Sequence, residues 1–154
     1  MAIETILLAV GPMDTVRADG LAETVSELAV PLDADVVIGH AFTADEYESV
    51  RERLGFDERP DAVDPDAVAA HRAPVADLRD RLEDEGVDVT VRGRLGEIGP
   101  GVVDLATEVD ADRIVVGGRR RSPAEKAVLG SVSQEIILAA PCPVTYYRDL
   151  DVME

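Results

Sequence analysis

The chain has 154 residues, the size of one ordinary domain of about 100–150 residues, and residues 1–154 are read as a single domain. Acidic residues number 32 against 15 basic ones, a formal charge of −17, which argues against general affinity for nucleic acid or anionic membrane because both need basic surface. With 46% hydrophobic residues the chain has the means to build a core, so its charge does not imply disorder.

Lys126 is the one lysine; every other basic residue is arginine. Such an acidic, lysine-poor surface suits a salt-rich cytoplasm, where self-repulsion is screened, so a halophilic source and a cytoplasmic location are expected. Neither a cleavable leader nor a membrane-length apolar run is apparent. Cys142, His40 and His71 are too few to suggest a metal site, and none is expected.

In chain order, Ile3 to Val10 (IETILLAV) reads as a buried strand stopped by Gly11-Pro12. Leu21, Val25, Leu28 and Ala29 recur at helical spacing between Gly20 and Leu32, and VVIGHAF (Val36 to Phe42) forms a second buried strand. A short helix is expected from Asp45 to Leu54 and a longer one from Ala67 to Glu85, with Pro74 as its kink or break. Val87 to Arg94 alternates as a strand with one wetter face. A helix opens near Gly96-Glu97-Ile98, and Ile114 to Val116 forms a fourth strand ending in Gly117-Gly118. The last helix spans about Ser131 to Ala140, and the last strand Val144 to Tyr147. Strands alternating with helices, most of them continuously apolar, predict an α/β fold: a doubly wound, five-stranded parallel sheet with helices on both faces. In such a sheet, ligands bind beyond the carboxyl ends of the strands where the strand order reverses. Attention therefore falls on the segments after Val10, Phe42 and Val116.

Residues 113–131, RIVVGGRRRSPAEKAVLGS, concentrate basic residues in a glycine-bearing loop of an otherwise acidic protein. Glycines let backbone N–H groups approach a phosphate, arginines offer forked donors, and a helix beginning at Gly130-Ser131 adds a favourable dipole. Two plainer readings fit the same residues: Ser131 with Gln134 makes a capping box, and Arg119 to Arg121 form a solvated loop. Neither a P-loop nor a dinucleotide fingerprint occurs. His40 is expected to be a hydrogen-bonded core or edge histidine, His71 exposed, and Cys142 a small buried filler. Arg92 and Arg94 face either the site or neighbouring carboxylates. No catalytic constellation is evident.

The stretches ILLAV, VVIGHAF, LGEIGPGVVDLATEVDADRIVVGG and LGSVSQEIILAAPCPV, with Gly86-Val87-Asp88-Val89, resemble the universal stress protein family across nearly the whole chain. The nucleotide-binding branch of that family carries G-x2-G-x9-G-[ST], which aligns with Gly117, position 120, Gly130 and Ser131. Two positions depart from it: Arg120 replaces a glycine, and Gly11 stands where the family has an aspartate after the first strand, with Asp14 three residues later. The resemblance implies an adenine-nucleotide α-hydrolase-like sheet of strand order 3-2-1-4-5. It also implies ATP or a related adenine nucleotide, with Mg, as ligand. Gly117, Gly130, Ser131, Val132 and Ser133 would surround the phosphates, with Arg119 and Arg120 added on grounds of charge. Ala9 and Val10 would border base or ribose, and Val36 would pack on the adenine. The family likeness further implies a homodimer paired through Val144, Thr145, Tyr146 and Tyr147, acting as a stress sensor or regulator with slow ATP hydrolysis at most. The alternative is a nucleotide-independent dimeric interaction module whose altered site, marked by Gly11 and Arg120, takes another anion or a protein partner.

Overall fold

A computed structural model describes residues 3–54, 65–118 and 131–148. Strand β1 (Thr5–Ala9) runs into a 3-10 turn (Pro12–Arg17) and helix α1 (Ala18–Leu32). Next come β2 (Asp35–Phe42), α2 (Ala44–Leu54), α3 (Pro65–Ala70), α4 (Ala73–Asp84) and β3 (Val89–Leu95). The chain continues through α5 (Ile98–Glu108), β4 (Arg113–Gly118), α6 (Ser131–Ala139) and β5 (Val144–Arg148). The five strands form one sheet in the order β3-β2-β1-β4-β5, and every pairing is parallel.

Successive side chains of β1 point to opposite faces of the sheet, and both faces are covered. Ile6, Leu8 and Val10 meet Leu21 and Val25 of α1 and Val75, Leu78 and Leu82 of α4. Leu7 and Ala9 meet Val102, Leu105 and Ala106 of α5 and Ile136 of α6. Burial on both sides explains why β1, β2 and β4 are continuously apolar, whereas β3, at the sheet's edge, is only half-buried along most of its length. A third cluster, Phe42, Tyr47, Val68 and Ala69, lies beneath α2 and α3.

The expected long helix is two helices. Pro74 lies in the first turn of α4, where its missing N–H costs nothing, and the His71-Arg72 turn separates it from α3. Pro31, by contrast, remains inside α1, which ends only at Asp33, in left-handed geometry (φ 54°) with its N–H on the carbonyls of Ala29 and Val30. The start of α3 lies directly on β3: a Cβ on Gly93 would stand 2.1 Å from the Pro65 carbonyl oxygen. The Gly93 N–H donates to Asp66 at 2.6 Å. Among the described residues, no helix is long and apolar enough to cross a membrane.

Candidate functional site

The chain leaves β1 towards β2 on one side, while β4 and β5 lie on the other, so the order reverses between β1 and β4. Over their carboxyl ends lies a cleft of about 230 Å³. Ala9, Val10 and Gly11 come from the end of β1, Asp14 and Arg17 from the 3-10 turn, and Val116 and Gly117 from β4. Ile98 and Val102 of α5 and Val132, Ser133 and Ile136 of α6 close it. Its walls are mostly apolar, and the first turn of α6 contributes the positive end of a helix dipole.

The charged groups sit on one side. Asp14 is 4% exposed; its Oδ2 accepts the Gly11 N–H at 2.7 Å and its Oδ1 accepts from Arg17 Nε at 2.7 Å. The Asp14 N–H in turn donates to the Gly11 carbonyl at 3.1 Å. This reciprocal closure folds the chain back on itself immediately after β1. A Cβ on Gly117 would lie 3.1 Å from Arg17 Nε, 3.2 Å from Arg17 Cδ and 3.2 Å from Asp14 Oδ1. Gly117 therefore provides the berth for this ion pair.

Of the residues expected at the site, Ala9, Val10, Gly117, Val132 and Ser133 come together in this cleft. Ser131 opens α6; its side chain, like Arg119, Arg120 and Gly130, lies outside the described residues. Val36 is a correction. It is fully buried in the core and pairs in register with Ile6 and Val89, near the amino end of the sheet. The β2 residue level with Ala9 is Gly39, so Val36 cannot reach a ligand at the carboxyl end. Asp14 and Arg17 are the charged cleft residues that sequence reasoning did not assign. Their signal is local: Pro at the first position of a helical turn with an acid two residues on, able to reach back to the preceding N–H.

A second polar cluster fills the opposite flank of β1. His40 is 2% exposed, with Nδ1 2.6 Å from the Val10 carbonyl oxygen and Nε2 2.9 Å from Glu46 Oε2. Arg72 approaches the same carboxylate oxygen at 3.5 Å, and its buried Nε has no hydrogen-bond partner among the described residues. The imidazole meets Phe42 edge-on at 4.4 Å, and Phe42 meets Tyr47 at 5.5 Å. His40 is thus a hydrogen-bonded core histidine, and His71 is exposed. Arg94 pairs with Asp104 at 3.4 Å and with Glu108, away from the cleft. Cys142 is half-buried against the α5–α6 core, and burial raises its thiol pKa.

A shallower depression of about 680 Å³ separates α1 from α4, with Asp19, Glu23, Glu27, Asp84 and Glu85 around Arg81. It lies on helix surfaces and shares no lining residue with the cleft. Among the described residues no group of three or more His, Cys, Asp or Glu side chains is arranged to hold a metal ion.

Residues 2–148 match the universal stress protein family, and the chain belongs to that family. It is 36% identical over 86 residues to a universal stress protein of Mycolicibacterium smegmatis, a match spanning 51% of this chain and 62% of that protein. The structure of the universal stress protein from Archaeoglobus fulgidus in complex with dAMP superimposes with a TM-score of 0.63 at 22% identity, over 95% of this chain and 98% of that one. A universal stress protein family protein of Arabidopsis thaliana with AMP bound gives a TM-score of 0.62 at 15% identity, over 96% of this chain and 93% of that one. At these identities the superpositions show a shared fold.

Proposed function

We propose that this universal stress protein binds an adenine nucleotide in the cleft between β1, β4 and α6 and works as a dimeric stress-response regulator. The observation that carries the reading is the cleft itself. It is an apolar-walled opening at the point where strand order reverses, with a buried carboxylate and guanidinium on one side and a helix start on the other. The dAMP and AMP complexes of the relatives support adenine nucleotides as the ligand class. Apolar walls suit a base, Asp14 and Arg17 suit ribose hydroxyls and phosphate, and Arg119, Arg120, Gly130 and Ser131 are candidate phosphate neighbours. ATP is included in the class, with any magnesium ion carried in on its phosphates.

Dimerisation is proposed through β5 (Val144 to Tyr147), which among the described residues is the last strand of the sheet. The surplus of acidic residues supports a cytoplasmic, salt-rich setting. The position of Arg17 over Gly117 favours a second reading, in which the cleft takes another anion and the dimer serves a protein partner.

Calorimetric titration of AMP and Mg-ATP in molar KCl separates the two. Val132 is partly exposed on the cleft wall, so Val132→Glu places a like charge beside the phosphates without disturbing the core. It is expected to weaken nucleotide binding at least about tenfold. Undiminished binding in that variant removes the cleft from consideration; absence of binding in the native protein favours the second reading.

A further inference from the structure

Closing the turn after β1 requires only Asp14, whose carboxylate receives the Gly11 N–H. Arg17 is additional. Its side chain is 9% exposed, a costly place for a guanidinium unless its donors are used. One donor is: Nε binds Asp14 Oδ1. The two terminal nitrogens have no partner among the described residues, and Arg17 lines the cleft. The side chain lies over Gly117, where a Cβ would crowd both Nε and Cδ. The cleft thus holds a guanidinium fixed at its Nε edge, opposite the first turn of α6.

We infer that Arg17 is the specificity-determining residue of this cleft, taking an anionic phosphate group through its terminal nitrogens while Asp14 fixes its orientation. The inference rests on the proposed nucleotide reading and refines its ligand class to adenine mononucleotides, with the phosphate distinguished from the bare nucleoside. A planar fork with two terminal nitrogens, and four N–H donors, remaining matches a pair of phosphate oxygens, and partial burial protects that contact from the screening that molar salt imposes on surface charges. It also gives Gly117 a role of its own in this chain: the phosphate meets the guanidinium berthed over the glycine, in addition to any backbone N–H.

The test is calorimetry in molar KCl with AMP, adenosine and inorganic pyrophosphate on the native protein, Arg17→Gln and Arg17→Lys, each checked for a native unfolding transition. The native protein is expected to prefer AMP to adenosine. Arg17→Gln should weaken AMP about 30-fold and adenosine less than about threefold, the loss of one charge-assisted contact. Arg17→Lys, which keeps the charge and loses the fork, should fall between them. If Arg17→Gln does not fold, the AMP-to-adenosine ratio in Arg17→Lys decides. Equal loss for AMP and adenosine, or no loss, overturns the role of Arg17 and leaves the nucleotide reading standing. Arg17-dependent pyrophosphate binding without binding of either adenine compound overturns the nucleotide reading and leaves Arg17 as an anion receptor. No binding of any of the three overturns both.

Discussion

The carboxyl end of β1 has two flanks, and the chain treats them in opposite ways. Towards β2, the Val10 carbonyl is capped by His40, which is held by Glu46 and packed edge-on against Phe42, with Tyr47 behind. Towards β4, the chain folds back through Gly11 and Asp14 and leaves a cleft floored by Val116 and Gly117. Both flanks contain an acid held by nitrogen partners: the half-buried Glu46 with His40 and Arg72, and the buried Asp14 with Arg17. On the closed flank both ring nitrogens of His40 are engaged, and the surrounding volume is filled by aromatic rings. On the open flank the two terminal nitrogens of the guanidinium have no partner among the described residues, and its side chain lines the cleft. A buried polar group that has spent its hydrogen bonds is part of the scaffold, and one that retains some beside a cavity is a candidate receptor.

If this contrast is sound, damage to the closed flank appears as lost stability and damage to the open flank as lost binding. The largest effect is expected from Phe42→Ala, which removes a fully buried ring and should cost about 3–5 kcal/mol of unfolding free energy, measured by urea denaturation in molar KCl. His40→Ala should follow at about 2–4 kcal/mol, because it strands the Val10 carbonyl and leaves Glu46 without its nearest partner. Val132→Glu, on the open flank, should change unfolding free energy by less than about 1 kcal/mol while weakening nucleotide binding as stated above. If Val132→Glu proves as destabilising as His40→Ala, the two flanks do not differ in kind.

The smallest effect belongs to the opposite end of β1. The Asp112 carboxylate accepts the Glu4 and Thr5 N–H groups at 2.8 and 3.1 Å, and these two bonds hold its pKa below the ordinary carboxylate value. The sign follows: the contribution is complete above that ordinary value and is lost as pH falls through the lower, folded one. Asp112→Asn should therefore lower the thermal midpoint slightly at neutral pH and flatten its fall in acid. An unchanged acid limb would separate Asp112 from acid unfolding.

Much of this architecture is legible in the sequence because burial leaves a mark. ILLAV and VVIGHAF are uninterrupted apolar runs because both faces of β1 and β2 are covered. Pro74 marks the α3–α4 break because a proline is tolerated in a first helical turn and not in a helix interior; Pro31, near the end of α1, shows how position decides that rule. The site is less legible. Val36, placed at the site by the family resemblance, fails because its height in the sheet depends on the β1–β2 register, which likeness of sequence alone does not set. Asp14 looks displaced from the family's acidic position when only residue numbers are compared. The turn from Pro12 to Arg17 brings its carboxylate back to the Gly11 N–H. Arg17 precedes α1 in a mixed segment, and only the bare face of Gly117 reveals where its side chain rests.

The most direct test of this account is an amide nitrogen–proton correlation spectrum of the labelled protein, titrated with AMP in molar KCl. Shifts are expected at Gly11, Asp14, Arg17, Gly117, Val132 and Ser133, with Glu46, Tyr47 and the α1–α4 depression unmoved. Shifts confined to the depression, or none at saturating AMP, would contradict that account.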